Sequence, residues 1–258
     1  MRLSFLISLL GLLFFSWPIL VFAEPVLLPL GADIQSIIEK QEKGTVYHLK
    51  SGVHRGHEII LKEGDSLIGE DGAILSGAEL LEGWRYEAPY WVHDGPHSKL
   101  IPYLDDESRV WEQRANYPHD LFCNDVPLIQ RIALTEFLLE GKYWFYDYDN
   151  DKVYIGFNPI GFEMELSGLS NYGLSALEKD VTIKNIRFEN YATYNLKPAV
   201  ELGPNATFEN SSVSGSHCIG IKISNSSIIR NSSFNYNGLA GLHNGGDGTL
   251  IEYCEFGY

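Results

Sequence analysis

Apolar positions near the C-terminus recur in four eight-residue segments that align without a gap: VTIKNIRF (181–188), ATFENSSV (206–213), SIIRNSSF (227–234) and TLIEYCEF (249–256). Their first residues, 181, 206, 227 and 249, lie 25, 21 and 22 residues apart. The third and eighth positions are apolar throughout, as Ile183, Phe208, Ile229 and Ile251, and as Phe188, Val213, Phe234 and Phe256. A period of about 20–25 residues predicts a solenoid, in which each repeat buries its apolar face against its neighbours.

The composition of these segments favours parallel β-strands over helices. Each segment is rich in β-branched residues, is only eight residues long and is bounded by Asn, Gly or Ser. Strands stacked about 4.8 Å apart place like residues over like, so we expect the third position to form one inward stack. Asparagine tolerates left-handed backbone and its amides can bond along a stack. We therefore predict a turn column at the fifth position, which reads Asn185, Asn210, Asn231 and Tyr253.

A short helix is predicted ahead of the first coils. Asp33 can cap the run IQSIIEKQEKG, in which Ile34, Ile37 and Ile38 form an apolar stripe. Gly44 would end the helix. Such a helix suits an end cap that shields the first coil of a solenoid. Between residues 45 and 77, short β-rich runs broken by glycine turns predict the first coils themselves.

Residues 84–165 interrupt the repeat and predict an inserted β subdomain. The stretch holds 17 of the 33 aromatic residues, enough for a core of its own. Two hairpins are predicted, LFCNDVPL turning at Asn124-Asp125 and YWFYDYDNDKVYIGF turning at Asp149-Asn150-Asp151. The predicted division is a signal segment (1–23), a cap with the first coils (24–83), the insert (84–165) and the later coils (166–258).

The first 23 residues have the features of a targeting segment. Arg2 supplies a positive start, an apolar run follows, and Val21-Phe22-Ala23 offers small residues for cleavage before Glu24. We therefore expect a secreted or periplasmic protein that begins at Glu24. The alternative is an uncleaved membrane anchor.

The charge of the chain limits its partners. Without Arg2, 18 basic residues face 34 acidic ones, a net charge of −16. This charge disfavours nucleic acid and anionic membranes as partners. It also disfavours an acidic polysaccharide unless cations or a local basic groove intervene. Three cysteines, Cys123, Cys218 and Cys254, are too few for a disulfide framework, and the last two lie at different phases of the repeat and are not expected to pair.

The octets, the asparagine column and the run GTVYHLKSGVHRGHEIILKEGDSLIGEDGAILSG resemble the right-handed parallel β-helix proteins of the pectin-lyase-like superfamily. The resemblance covers nearly all of residues 31–258. The insert, with LFCNDVPL and GKYWFYDYDNDKVYIGFNP, is similar to a β module carried by some glycan-processing β-helix proteins. The resemblance implies an all-β fold with a short cap helix and an inserted β subdomain.

For function, the resemblance implies a secreted protein that binds or processes extracellular carbohydrate, as a polysaccharide lyase or a glycoside hydrolase if it is an enzyme. The superfamily also contains epimerases and non-catalytic surface proteins, so fold alone does not decide activity. A non-catalytic surface or structural β-helix is the alternative. A chain too incomplete to act by itself is a third interpretation.

One candidate catalytic cluster lies on the later coils. His217 in GSHCIGIK and His243 in LAGLHNGGDG occupy similar phases of the repeat, so we expect them on one face, with Asp247 and Lys222 nearby. A histidine and a carboxylate with separated pKa values can perform general acid–base chemistry, and Lys222 can bind substrate. The alternative is that these are ordinary turn residues, because no catalytic motif of the superfamily matches here.

The aromatic insert offers a second candidate site. The flat rings of Trp91, Trp111 and Trp144 suit stacking against a sugar. The alternative, which the clustering of aromatic residues favours, is that they form the core of the insert.

No cofactor or metal site is predicted. The run from Asp147 to Asp151 resembles the start of a Ca²⁺ loop, but Lys152 and Asn158 stand where an EF-hand needs Gly and Glu, so a hairpin turn is favoured and Ca²⁺ has no motif to support it. No Cys or Glu completes a zinc signature around the paired histidines, which we interpret as surface residues: His54 and His57, and His93 and His97.

The end of the chain is a further expectation. Tyr258 follows the last octet after a single residue, so the sequence stops within a coil. We expect either a longer β-helix, of which this is the N-terminal part, or end-to-end self-association that covers the open coil. The expected partners are thus polysaccharide and a second copy, without nucleic acid, and without a membrane once the signal segment is removed.

Overall fold

The computed structural model describes residues 24–95, 119–134, 139–170, 172–193 and 197–257. The first coils contain, in chain order, β1 (Val26–Leu28), α1 (Ile34–Glu39), β2 (Val46–Leu49), β3 (Gly52–Arg55), β4 (Ile59–Ile60), β5 (Ser66–Gly69) and β6 (Ala73–Ser76). The insert contains β7 (Ala78–Leu80), β8 (Arg85–Glu87), β9 (Tyr90–Asp94), β10 (Leu121–Cys123), β11 (Val126–Pro127), β12 (Ile129–Arg131), β13 (Tyr143–Asp147), β14 (Lys152–Ile155) and β15 (Met164–Ser167).

The later coils repeat a three-strand unit. They contain β16 (Leu169–Ser170), β17 (Leu174–Ala176), β18 (Thr182–Lys184), β19 (Arg187–Glu189), β20 (Ala192–Thr193), β21 (Pro198–Leu202), β22 (Thr207–Glu209), β23 (Ser212–Ser214), β24 (Ile219–Ile223), β25 (Ile228–Arg230), β26 (Ser233–Asn235), β27 (Ala240–Asn244), β28 (Leu250–Glu252) and β29 (Glu255–Gly257).

Three parallel sheets wind around one core. Sheet A has the order β1-β2-β5-β18-β22-β25-β28, sheet B the order β3-β6-β19-β23-β26-β29, and sheet C the order β4-β17-β21-β24-β27. β5 and β18 are parallel neighbours although the insert separates them in sequence, with Leu67 opposite Ile183. The chain therefore leaves the solenoid and resumes it in register. The predicted right-handed parallel β-helix is confirmed.

The predicted inward stack forms the core of the solenoid. Ile183 pairs with Phe208, and Phe208 with Ile229, and all three are fully buried. The eighth position forms a second buried column of Phe188, Val213 and Phe234. The ring of Phe208 packs against both columns. Its centroid lies 6.1 Å from that of Phe188 and 5.9 Å from that of Phe234.

The asparagine column forms the turn between sheets A and B, as predicted. Its residues all have left-handed backbone, with φ of 57°, 50°, 50° and 55° at Asn185, Asn210, Asn231 and Tyr253. The links along the described column are made by the main chain instead of the expected amides. The N–H groups of the three asparagines each donate to a carbonyl oxygen of the next coil at 3.2 Å. The side chains face solvent, which keeps their amides out of this main-chain ladder.

The cap helix is shorter than the run that predicts it. Asp33 caps it, accepting hydrogen bonds from the main-chain N–H of Ser36 at 3.1 Å and from the Ser36 hydroxyl at 2.7 Å. The helix ends at Glu39, and Ile34 and Ile38 are fully buried in the solenoid core. No helix in the described ranges is long and apolar enough to span a membrane.

The insert consists of two sheets of its own. One has the order β11-β10-β15-β7 and the other the order β12-β13-β14-β9-β8. Ala78 of β7 pairs with Ser167 of β15, so these two strands hold together the points where the chain leaves and rejoins the solenoid. The core of the insert includes Leu121, Trp144, Tyr146, Val153, Ile155 and Leu166.

Both predicted hairpin turns are confirmed. Asn124 and Asp125 have φ of 48° and 63° between the antiparallel strands β10 and β11. In the second turn, the Asp147 carboxylate accepts hydrogen bonds from the N–H groups of Asp149 and Asn150 at 3.1 and 3.0 Å. The Asp147 carboxylate thus stabilises the hairpin turn.

A column of alternating charges follows the inward stack along sheet A. Lys184, Glu209, Arg230 and Glu252 alternate in sign, and the sequence predicts a continuous ion-pair ladder. The structure divides it into two pairs. Lys184 lies 2.8 Å from Glu209, and Arg230 lies 2.9 Å from Glu252.

This division predicts unequal coupling between neighbours. Double-mutant cycles should show a small favourable coupling for Lys184 with Glu209 and for Arg230 with Glu252, and a weaker one for Glu209 with Arg230. The couplings should decline with salt, because exposed pairs are screened. Thermal melts of the single and double alanine variants measure them. Equal coupling at all three steps would indicate a continuous ladder.

Candidate functional site

The structure does not bring the predicted histidine cluster together. His217 precedes β24 and lies in register with the segment around Gly238 of the next coil, because Gly238 donates to the carbonyl of Ser216 at 2.9 Å. His243 lies in β27, in register with Lys222 of β24. The two histidines therefore occupy different phases of the coil. The sequence segments look alike because both contain glycine turns, which do not define register.

The remaining predicted residues lie on sheet C and the turn that follows it. Lys222 pairs with Glu201 of the preceding coil at 2.8 Å. His243 is exposed beside it. Asp247 is exposed, and its main-chain N–H donates to the Asn225 side chain at 2.9 Å. This arrangement is a solvated ion pair with an adjacent turn.

The described tryptophans have different surroundings. Trp144 is fully buried in the core of the insert, so its ring has no face open to a sugar. Trp91 is half-buried against the same core, with its ring 5.4 Å from that of Tyr86. Trp111 lies outside the described residues. Trp144 therefore packs in the core of the insert.

A cleft of about 580 Å³ opens between the outward face of sheet B and the insert. We call it the cleft. Its solenoid wall includes Arg55, Ser76, Arg187, Glu189 and Ser214, and its insert wall includes Phe122, Asp125, Glu163 and Glu165. Because side chains alternate along a strand, the burial of Phe188 directs Arg187 and Glu189 outward. No motif in the sequence predicts this cleft.

Arg55 joins the two walls. Its guanidinium donates hydrogen bonds to the Glu165 carboxylate and, at 3.0 Å, to the carbonyl oxygen of Ala78. Glu163 lies 3.6 Å from the same guanidinium. Burial raises the pKa of Glu165, while Arg55 opposes the increase. The pair therefore attaches the insert to the solenoid and places carboxyl groups in the cleft.

Glu189 is the second carboxyl group with an altered pKa. Burial raises its pKa, Arg187 opposes the increase at 3.4 Å, and the nearby Asp125 and Glu165 add to it. It lies in register with Ser76 and Ser214, which are short and leave its carboxyl group facing the cleft. A carboxyl group in this setting keeps its proton to higher pH and can act as an acid.

The cleft has no excess of positive charge. Two arginines, Arg55 and Arg187, face four carboxyl groups. Both guanidinium groups are already paired with carboxylates. The local basic groove that an acidic polysaccharide would need is therefore not found in the described part of the cleft.

A second polar junction attaches the insert next to the cleft. The buried side chains of His217 and Asp120 approach to 3.3 Å, Nδ1 to Oδ2. Nε2 of His217 is buried and has no hydrogen-bond partner among the described residues. The neighbouring His119 stacks on Tyr146, and burial lowers its pKa to about 4. His217 thus has a structural position between the solenoid and the insert.

No metal site is formed by the residues that the structure describes: no three His, Cys, Asp or Glu side chains among them converge. Of the histidines interpreted as surface residues, His54 is instead buried, with its ring 2.9 Å from the Lys50 carbonyl. The surface position predicted for His54 is therefore wrong. A single His-x-x-His pattern does not show which positions of a strand face the core. His97 lies outside the described residues. The three cysteines are free thiols.

Comparison with known proteins finds similarity in structure only. No family model matches the chain, and no curated protein matches it. A structure of XylC in complex with xylose is similar at 12% identity and a TM-score of 0.61, over 82% of this chain and 53% of that one. A glycoside hydrolase is similar at 12% identity and a TM-score of 0.51, over 78% of this chain and 60% of that one.

A family 28 exopolygalacturonase of Yersinia enterocolitica also matches, at 11% identity over 92% of this chain and 50% of that one, but its TM-score is 0.27. The chain thus spans between half and three fifths of the length of these structures. At 12% identity the first two similarities show the fold alone. That fold is the right-handed parallel β-helix.

Proposed function

We propose that this protein binds an extracellular neutral glycan in the cleft and hydrolyses a glycosidic bond there. The observation that carries the proposal is Glu189, a carboxyl group whose pKa is raised by burial and which lines a cleft of about 580 Å³ with other carboxyl groups. Glycoside hydrolysis generally requires a pair of carboxyl groups, one protonated and one ionised.

In this mechanism, Glu189 donates its proton to the leaving-group oxygen as the glycosidic bond breaks. Glu163 has a side chain 58% exposed and lies 3.6 Å from Arg55, so its carboxyl group is accessible to water and can accept the proton that the attacking water loses. The water oxygen then bonds to the anomeric carbon. Glu165 orients Arg55, and through it the carboxylate of Glu163.

The charge of the cleft favours a hydrolase over a lyase. A lyase removes a proton next to a uronate carboxylate and needs cations to neutralise that group. The two arginines of the cleft are paired with its own carboxylates. The xylose complex and the glycoside hydrolase among the similar structures support carbohydrate as the ligand class.

A non-catalytic glycan-binding protein is the second candidate. The observation that favours it is the Arg55–Glu165 pair, which also holds the Ala78 carbonyl and therefore has a structural task. In that case the cleft binds a sugar without breaking a bond.

An array of neutral and uronate-containing glycans tests the proposal, combined with assays for new reducing ends and for unsaturated products. The purified protein should bind neutral glycans and release reducing ends without unsaturated product. Binding without new reducing ends would establish the non-catalytic candidate. Unsaturated products, or a preference for uronates, would contradict the hydrolase.

We also propose that the protein is exported from the cytoplasm. Residues 1–23 lie outside the described part, and their pattern predicts cleavage after Ala23. N-terminal sequencing of the protein from its native source should therefore begin at Glu24. Recovery of the chain with Met1 in a membrane fraction would contradict export as a soluble protein.

A further inference from the structure

The insert and the solenoid have separate apolar cores. The solenoid core includes Phe188, Phe208 and Ile221, and the core of the insert includes Trp144 and Ile155. Among the residues that the structure describes, no side chain belongs to both cores. Units without a large shared hydrophobic interface move relative to each other more easily than units that have one. This separation allows the insert to change its position while both cores stay intact.

Contacts between a few side chains hold the insert in the position that the structure shows. Arg55 of the solenoid donates a hydrogen bond to the Glu165 carboxylate, and His217 of the solenoid approaches Asp120 to 3.3 Å. We call these two contacts the polar pairs. The ring of Phe122 is buried and lines the cleft, but it belongs to neither core. Contacts of this kind can separate and form again as a unit, whereas an interdigitated core cannot.

Both connections between the solenoid and the insert contain a glycine. Gly77 lies between β6 and β7, Gly168 follows β15, and the Gly168 N–H donates to the Gly77 carbonyl oxygen at 2.9 Å. Packing requires glycine at position 77, because an added Cβ would lie 2.6 Å from the Tyr191 ring. At position 168 an added Cβ would have only an ordinary contact, at 3.5 Å from the Gly77 carbonyl oxygen. Gly168 therefore provides backbone freedom that packing does not need and that a hinge uses.

We propose that the insert is a hinged lid, which turns about Gly77 and Gly168 and opens and closes the cleft over Glu189. In the closed position, which the structure shows, both polar pairs are formed and Glu189 is partly shielded from water. In the open position the polar pairs are separated and Phe122 is exposed, so a ligand can enter. Lid motions of this kind occur within microseconds to milliseconds. The inference goes beyond the proposed function, because it concerns access to the cleft and holds whether a ligand is cleaved or only bound.

Methyl relaxation dispersion by NMR tests the lid without a glycan, so its outcome is independent of the proposed function. Val126 lines the cleft from the insert, and Ile74 lines it from the solenoid. Their methyl groups should show conformational exchange with one common rate. Ile183 in the solenoid core and Val153 in the insert core are internal controls and should show no exchange at that rate. Exchange of the core methyl groups at the same rate would indicate local unfolding and would overturn the lid.

Three variants change the lid in predictable directions. Arg55→Met should raise the open population about tenfold, because it removes a charged hydrogen bond that exists only in the closed position. Arg187→Met is the matched control and should leave the open population unchanged, because Arg187 lines the cleft but pairs with Glu189 of its own strand. Gly168→Ala should lower the open population, since alanine fits the site but restricts the backbone. Thermal melts and circular dichroism establish that each variant is folded.

Glu165→Gln tests the same polar pair from the insert, should Arg55→Met lower the stability of the fold. It should also raise the open population, but less, because glutamine can still accept a hydrogen bond from Arg55. Absence of exchange at Val126 and Ile74 in the wild type and in the folded variants would show a rigid insert and overturn the inference. Equal effects of Arg55→Met and Arg187→Met would also overturn it, because they would depend on the charge of the cleft and not on the contact with the insert.

Discussion

Phe208→Asp should prevent the protein from folding. Phe208 is fully buried and touches both apolar columns, so an aspartate there would place an unpaired charge in the core. Each coil buries its apolar face only against its neighbours, so a defect at Phe208 interrupts the stack between Ile183 and Ile229. Circular dichroism and recovery of soluble protein measure the outcome.

The milder Phe208→Ala change should lower the free energy of unfolding by about 3–5 kcal/mol, the usual cost of a large-to-small core substitution. Glu209→Ala serves as the control, because Glu209 is the next residue of the same strand and points outward. It should shift the melting temperature only slightly. A Phe208→Asp variant that melts like the wild type would contradict the inward stack.

Glu189→Gln should lower kcat by about 10²–10⁴, the usual contribution of a general acid. Glutamine keeps the shape of the side chain, so glycan binding should persist while bond cleavage is lost. Glu252→Gln is the control, because Glu252 pairs with Arg230 on sheet A, away from the cleft. Reducing-end assays and binding measurements on both variants separate catalysis from binding. Full activity of Glu189→Gln would remove Glu189 from the mechanism.

The raised pKa of Glu189 also sets the direction of the pH dependence. The proton donor must be protonated, so activity should fall as pH rises through its raised pKa. Folding favours the neutral carboxyl group, and the stability that this group contributes is complete below its unfolded pKa and is lost as pH rises through its folded pKa. Urea unfolding across this pH range should show a weaker pH dependence for Glu189→Gln than for the wild type.

Local pattern was sufficient to predict the solenoid and its register. The inward stack through Phe208, the left-handed column at Asn185 and the hairpin turn at Asn124-Asp125 were all predicted. Each depends on the alternation of a strand or on the backbone preference of a residue, and both act over a few residues. The cap helix was predicted with its capping residue but about one turn too long, because it ends at Glu39 and not just before Gly44.

The candidate site could not be predicted in the same way. Arg55 and Glu165 are 110 residues apart in sequence, and only the return of the chain after the insert brings them together. Strand alternation directs Arg187 and Glu189 outward on either side of the buried Phe188, but it does not indicate what faces them. His217 and His243 were grouped by similar glycine turns, and the actual pairing of β24 with β27 separates them.

The sequence by itself determined the parallel coils, their inward apolar columns and the existence of an aromatic insert, because repeated strands bury like residues against like. The tertiary structure decided which outward face became a cleft. That choice depends on how the insert packs on sheet B, where Arg55 and the buried His217–Asp120 pair attach it. Burial between the two units then raises the pKa values of Glu165 and Glu189, an effect of desolvation that appears only when distant segments exclude water from the same space.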